Sequence, residues 1–172
     1  VRLGVDPGSH LSGWASADDN GTVIGAGHEK NDRLCFPSAV RIDLAIEVPN
    51  RLWRGTVADL IALSRGVERV VLLTRPVPRT LKEYAPDEWK NTIPKWTHHS
   101  RMWDGLSLAE QRIFADAFKR SPGQISEYIT KACTIAAIKK TAPYGAKCTH
   151  ALDALGILLF DVGRITKHGT HQ

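Results

Sequence analysis

The sequence predicts a mixed α/β domain built on one sheet. Three observations lead there. Apolar residues alternate with a period of two in several short segments of the first half. Capped helical starts dominate the second half. Strands come first and helices after, with at least one strand–helix–strand unit between them.

Val1, Leu3 and Val5 alternate with Arg2, Gly4 and Asp6 as a first strand, which Pro7-Gly8-Ser9 breaks. Leu11 to Ala17 reads as the second. Asp18-Asp19-Asn20-Gly21 is a hairpin turn, because Asn-Gly tolerates positive φ, and Thr22 to Gly27 returns as the third strand. Ile42 to Val48 is the fourth, with Leu44, Ile46 and Val48 on one face and Asp43, Ala45 and Glu47 on the other. Thr56 caps a helix carrying Val57, Leu60 and Ile61 on one side. Gly66 either ends that helix or lies inside it at a cost of about 1 kcal/mol. Val70 to Leu73 fits helix or strand. Thr80 to Tyr84 is a fifth strand and Pro86 to Asn91 a short helix, while residues 92–106 read as a long loop rich in Trp, His and basic groups.

Ser107-Leu108-Ala109-Glu110 and Ser121-Pro122-Gly123-Gln124 are capping boxes, the second with Pro at the first helical position. The second helix places Ile125, Tyr128, Ile129, Ala132 and Ala136 on one face and ends before Pro143. A last helix is expected from about His150 to Val162, capped by Thr149 and followed by Gly163.

The 172 residues amount to one domain, residues 1–172. With 42% hydrophobic and 24% charged residues, collagen-like, disordered and disulfide-scaffold classes are excluded. The apolar run Ala154 to Phe160 stops at Asp161, too short for a membrane span. Arg2 and Asp6 interrupt any signal peptide, and the missing initiator Met points to a trimmed chain. Cys35, Cys133 and Cys148 are odd in number without a CxxC pair, as expected of free thiols in a reducing, cytoplasmic compartment. One Cys-x-His, Cys148 and His150, is not a zinc site; a buried thiol is expected there.

The formal charge is +5, unevenly spread. Residues 1–50 carry 4 basic and 7 acidic groups, whereas residues 51–150 carry 17 and 9. A basic middle suits a polyanion such as nucleic acid, solubility alone being the alternative.

Asp6 ends an apolar strand before Pro7-Gly8, where a carboxylate is costly without a cation; turn initiation is the other reading. Glu47 ends the fourth strand in the same way. Asp43 shares its face but lies about 13 Å away along the strand, so only one of the two can meet Asp6. A strand end beside a loop favours Glu47. His150 and Asp153, three apart, share a face at the start of a buried helix. Compensation of the helix dipole explains Asp153 in part and His150 not at all. Asp161, about 12 Å further along the axis, is expected at the surface. Three carboxylates and one imidazole suit Mg²⁺ or Mn²⁺, and two such ions can activate water and stabilise the leaving oxygen of a phosphodiester.

Gly4-Val5-Asp6-Pro7-Gly8 with Gly13-Trp14 resembles the opening of RuvC-type Holliday-junction resolvases, members of the RNase H-like nuclease superfamily. Ile46-Glu47-Val48-Pro49 is similar to that family's strand-end glutamate, and Tyr84-Ala85-Pro86 with Trp89-Lys90 to its later strand and short helix. His150-Ala151-Leu152-Asp153-Ala154-Leu155-Gly156 resembles its C-terminal helix. Pro94-Lys95 through Arg101 is most similar to phage-borne members, whose location would be the host cytoplasm. The chain departs from the family in a shorter connection ahead of Glu47 and a different basic loop after the fifth strand.

The resemblance implies an RNase H-like mixed five-stranded sheet flanked by helices. It also implies catalytic metal ligands at Asp6, Glu47, His150 and Asp153, with two Mg²⁺ or Mn²⁺ ions. The implied activity is that of an endonuclease nicking branched DNA, a four-way junction or a fork or flap, to 5′-phosphate and 3′-hydroxyl ends. The partner set is that DNA and a second copy of the chain in a homodimer. Lys95, Arg101 and Lys147 are candidates for phosphate contacts, each with a solvated surface charge as the alternative. Arg51 and Trp53 follow Glu47 closely; Trp53 is the candidate for stacking on bases, with a core tryptophan as the alternative. His98-His99 reads as a solvated loop pair before a phosphate or proton-transfer role. The competing functions are a non-catalytic junction- or RNA-binding module on the same fold and an ATPase-like phosphate binder, the latter lacking a second Gly-rich loop.

Overall fold

The computed structural model describes residues 1–8, 10–30, 41–49, 56–74, 77–91, 93–139 and 146–172. Strands β1 (Arg2–Pro7), β2 (Leu11–Ala17), β3 (Val23–Lys30) and β4 (Asp43–Glu47) precede helix α1 (Val57–Leu73). Strand β5 (Thr80–Tyr84), α2 (Pro86–Trp89), α3 (Lys95–Asp104), α4 (Leu108–Ala117), α5 (Pro122–Lys139) and α6 (Ala146–Asp161) complete the order. The sheet order is β3-β2-β1-β4-β5. β1 pairs antiparallel with β2 and parallel with β4; β2 and β3 are antiparallel, β4 and β5 parallel. This is the expected fold class: a mixed five-stranded sheet flanked by helices, with β1 at its centre.

Alternation decides which face each residue buries. Leu3 and Val5 of β1 pack with Leu44 and Ile46 of β4 and Val70 of α1. The other face meets α6, and here small residues matter. A Cβ on Gly4 would come within 2.4 Å of the Ala154 carbonyl oxygen, and one on Gly13 within 2.1 Å of the His150 carbonyl carbon. Only glycine lets the helix backbone lie that close, which sets His150 and Asp153 against the end of β1. Residues 151–159 of α6 are all buried. Leu152, Leu155 and Leu158 join Met102, Trp103, Phe114, Ile125 and Ile129 in the larger core, each fully buried side chain contributing roughly 2 kcal/mol.

The helix starts follow the sequence signals. Thr56 and Asp59 form a capping box ahead of α1. Ser107 and Glu110 do so ahead of α4, and Ser121 and Gln124 exchange side chain-to-backbone bonds ahead of α5. α1 runs through Gly66 and takes in Val70 to Leu73.

Three expectations are corrected. Residues 95–104 form α3, not part of a loop: Trp96, His99 and Trp103 recur at helical spacing and are buried with His98 and Met102, a period hidden by the polarity of the intervening residues. α6 starts at Ala146, so Thr149 lies inside it. The Thr149 hydroxyl is 3.0 Å from the Tyr128 hydroxyl, inside the helix and not at its N-cap position. Asp161 is not a surface acid: its side chain is 6% exposed and accepts from Lys82 Nζ at 2.6 Å and Tyr84 Oη at 2.9 Å. Cys133 and Cys148 are half-buried thiols; burial pushes Cys148 up to about 11, an inert state. Cys35 lies outside the described residues.

Glu110 joins three parts of the chain. It accepts from Ser107 N at 3.0 Å, from Val23 N at 3.1 Å and from both arms of the Arg164 guanidinium. Burial alone would raise its pKa, but Arg164 and the two N–H groups hold it at about 2 against an ordinary 4.5. The depressed value means that its stabilisation is complete above pH 4.5 and is lost as pH falls towards 2. Glu110→Gln leaves the guanidinium without its anion and is expected to cost about 3 kcal/mol in urea unfolding at pH 7. The difference from the parent should shrink below pH 4; a constant difference would contradict the ionic account.

Candidate active site

The ends of β1 and β4, the second turn of α6 and the starts of α2 and α3 surround a cleft of about 210 Å³. Its lining includes Asp6, Glu47, His150 and Asp153, together with Lys90 and Lys95. Asp6 and Glu47 reach it because β1 and β4 are parallel neighbours, Val5 opposite Ile46, so that their C-terminal ends coincide. His150 and Asp153 reach it because α6 lies tightly against Gly4 and Gly13.

Each acid has a partner. Asp6 is 7% exposed and accepts a hydrogen bond from His150 Nδ1 at 2.5 Å. That bond, outweighing burial, raises the pKa of His150 above its ordinary 6.5. Glu47 Oε2 accepts from the Trp89 indole N–H at 2.8 Å and from Lys90 Nζ at 3.3 Å. Burial first, and then the charge of Asp6, push Glu47 up to about 7. Asp153 is 2% exposed; Lys95 Nζ donates to its Oδ2. His99 Nε2 donates to its Oδ1 at 3.0 Å, and Lys90 Nζ lies 3.9 Å from the same oxygen. Burial opposes ionisation of Asp153, but the two lysines and His99 hold it well below the usual carboxylate range.

Asp43, the competing acid, is at the opposite end of β4. It takes both arms of Arg79 at 2.9 and 2.5 Å and the Thr80 hydroxyl at 2.8 Å. Arg101 faces away from the cleft, donating to the His168 carbonyl at 3.2 Å. Lys147 lies in the first turn of α6. Arg51 and Trp53 lie outside the described residues.

His98 and His99 overturn the solvated-loop reading. Both are fully buried on α3. The His98 ring meets Trp89 edge-on at 5.0 Å, and the His99 ring meets Trp96 at 5.3 Å. Burial, with His99 adjacent, lowers His98 to about 4, so it stays neutral. Trp89, Lys90 and His99 are the site residues that sequence reasoning did not assign. One signal was available for the last: Lys95 and His99 are four apart after Pro94, so a helix starting there puts both on one face.

The donor set of three carboxylates and an imidazole suits a hard divalent ion. The raised pKa of Glu47 marks a place where added positive charge would be favourable. Among the described residues no group of three or more His, Cys, Asp or Glu side chains is disposed to hold a metal ion; Glu47 is paired with Lys90, Asp153 with Lys95 and Asp6 with His150.

No protein-family model matches the sequence, and no curated protein does. Among solved structures, the RuvC of T. thermophilus in complex with a Holliday junction substrate is similar at 14% identity and a TM-score of 0.43. That match covers 92% of this chain and 89% of that one. A Thermus thermophilus RuvC structure is similar at 13% identity and a TM-score of 0.38, covering 92% and 90%. No helix among the described residues is long and apolar enough to cross a membrane.

Proposed function

We propose that this chain is a divalent-metal-dependent endonuclease that nicks branched DNA, with the four-way junction as its substrate and a homodimer as its working form. The observation that carries this reading is the meeting of Asp6, Glu47, His150 and Asp153 in one cleft, from two strands and one helix. Those four would hold Mg²⁺ or Mn²⁺, which when bound supplies water activation and stabilisation of the leaving oxygen. Asp6 orients the His150 ring through Nδ1, leaving Nε2 as its ligating nitrogen. Trp89 fixes the Glu47 carboxylate through its indole N–H. Lys95, whose ammonium group is on Asp153, would turn towards a flanking phosphate only on leaving that carboxylate, and the basic excess of residues 51–150 would hold the rest of the DNA.

The test is a nuclease assay on matched four-way, three-way, flap and linear DNAs with Mg²⁺ or Mn²⁺. Cleavage of the four-way junction alone, or far above the others, is the expected result. Binding without cleavage on any of them favours the second reading, a non-catalytic junction- or RNA-binding module. The specific observation on that side is that Lys90 and Lys95 already pair with the acids.

A neutral His150 is needed for ligation, and its pKa is raised above 6.5. Activity should therefore climb at pH values above the ordinary 6.5 and fall away on the acid side. A rate unchanged down to about pH 5 would remove His150 from the ligand set.

A further inference from the structure

Two ammonium groups stand in the cleft where a cation is needed. Lys90 Nζ bridges Glu47 Oε2 at 3.3 Å and Asp153 Oδ1 at 3.9 Å. Lys95 Nζ pairs with the other oxygen of Asp153, Oδ2. Asp153 is buried, and with His99 on Oδ1 both of its oxygens are engaged. A buried carboxylate without positive charge beside it is costly, and the two ammonium groups supply that charge to Glu47 and Asp153.

The two arms of α3 differ in freedom. His99 is fully buried and wedged against Trp96. Lys95 carries its charge on a flexible stem at the cleft wall, with a side chain 35% exposed. α3 itself is held by the C-terminal segment. His171 Nε2 lies 2.9 Å from the Met102 carbonyl oxygen, Arg101 reaches the His168 carbonyl, and Gly169 lies so close to His98 that a Cβ there would come within 3.0 Å of its carbonyl oxygen. With the helix anchored and His99 fixed, the Lys95 side chain is the element free to leave Asp153.

We infer that Lys95 is an exchangeable internal counter-ion: it occupies Asp153 until a divalent cation takes that oxygen, so it competes with metal loading. The inference rests on the metal-dependent reading of the cleft. Lys95 acts here through Asp153, as a positioning residue. Competition for one carboxylate oxygen is an equilibrium coupling, so removing the competitor must raise affinity for the ion.

Isothermal titration of the DNA-free protein with MnCl₂ tests this without any cleavage readout. Lys95→Met is expected to bind Mn²⁺ about tenfold more tightly than the parent. Lys95→Arg, which keeps the charge, should stay near the parent value, and Lys90→Met should gain less than Lys95→Met. Thermal melting without metal checks folding; should the Met variant not fold, Lys95→Gln carries the same expectation. Parent-like or weaker Mn²⁺ binding by the uncharged variant overturns the inference while leaving the metal-dependent reading intact. If neither parent nor variant takes up Mn²⁺ at millimolar concentration, that reading fails and the inference with it.

Discussion

Asp6→Asn is expected to reduce cleavage of a four-way junction by at least a factor of about a thousand, or ~4 kcal/mol at 1.36 kcal/mol per decade. Binding of the junction should survive. The substitution keeps the size of the side chain and removes only its charge. An amide oxygen can still accept from His150 Nδ1, at present 2.5 Å from Asp6 Oδ2, so the local packing has little reason to change. What is lost is one anionic donor near the end of the central strand, in the cleft it shares with Glu47, His150 and Asp153. On the proposed reading, junction binding would rest on basic groups outside the acid cluster, and removing a negative charge from the cleft would favour a polyanion. Gel-shift and cleavage assays on one preparation separate the two effects. Parent-rate cutting by Asp6→Asn would displace Asp6 from the chemistry.

Glu47→Gln should do two things of opposite sign. Activity should be lost, while the metal-free protein becomes more stable at alkaline pH. Glu47 is pushed from an ordinary 4.5 to about 7, chiefly by burial and then by the charge of Asp6. The folded chain therefore binds more protons than the unfolded chain between those values, and stability falls as pH rises across that window. Above pH 7 the full penalty applies, on the order of 3 kcal/mol. Glutamine removes it and still accepts from the Trp89 indole N–H, while Lys90 keeps Asp153 as a neighbour. Urea unfolding in EDTA should show the variant more stable than the parent at pH 8 and the two nearly equal at pH 4.5. A variant less stable at pH 8 would mean that Lys90 already neutralises an ionised Glu47. Such a residue costs stability in the resting protein, which is expected where carboxylates are kept close together for an ion.

Much of the fold was legible in the chain itself, for local reasons. Alternation marked β1 and β4, because a residue's face in a strand depends only on its parity. The N-cap at Thr56 and the capping boxes at Ser107 and Ser121 marked three helix starts, because such caps close within four residues. α3 escaped because its buried face is made of Trp and His rather than aliphatic residues, and composition masked the period.

From residue type and position alone came the four candidates Asp6, Glu47, His150 and Asp153, and the preference for Glu47 over Asp43. Acids at the ends of apolar segments are costly enough to stand out. Tertiary structure alone decided what each of them touches. Asp6 and His150 are 144 residues apart, and Lys95 and His99 reach Asp153 from 58 and 54 residues away. No local periodicity encodes such pairings. They arise because two glycines let α6 settle on the sheet and because the C-terminal segment holds α3 over the cleft. Contacts of that kind depend on how whole elements pack, which a short window of sequence does not contain.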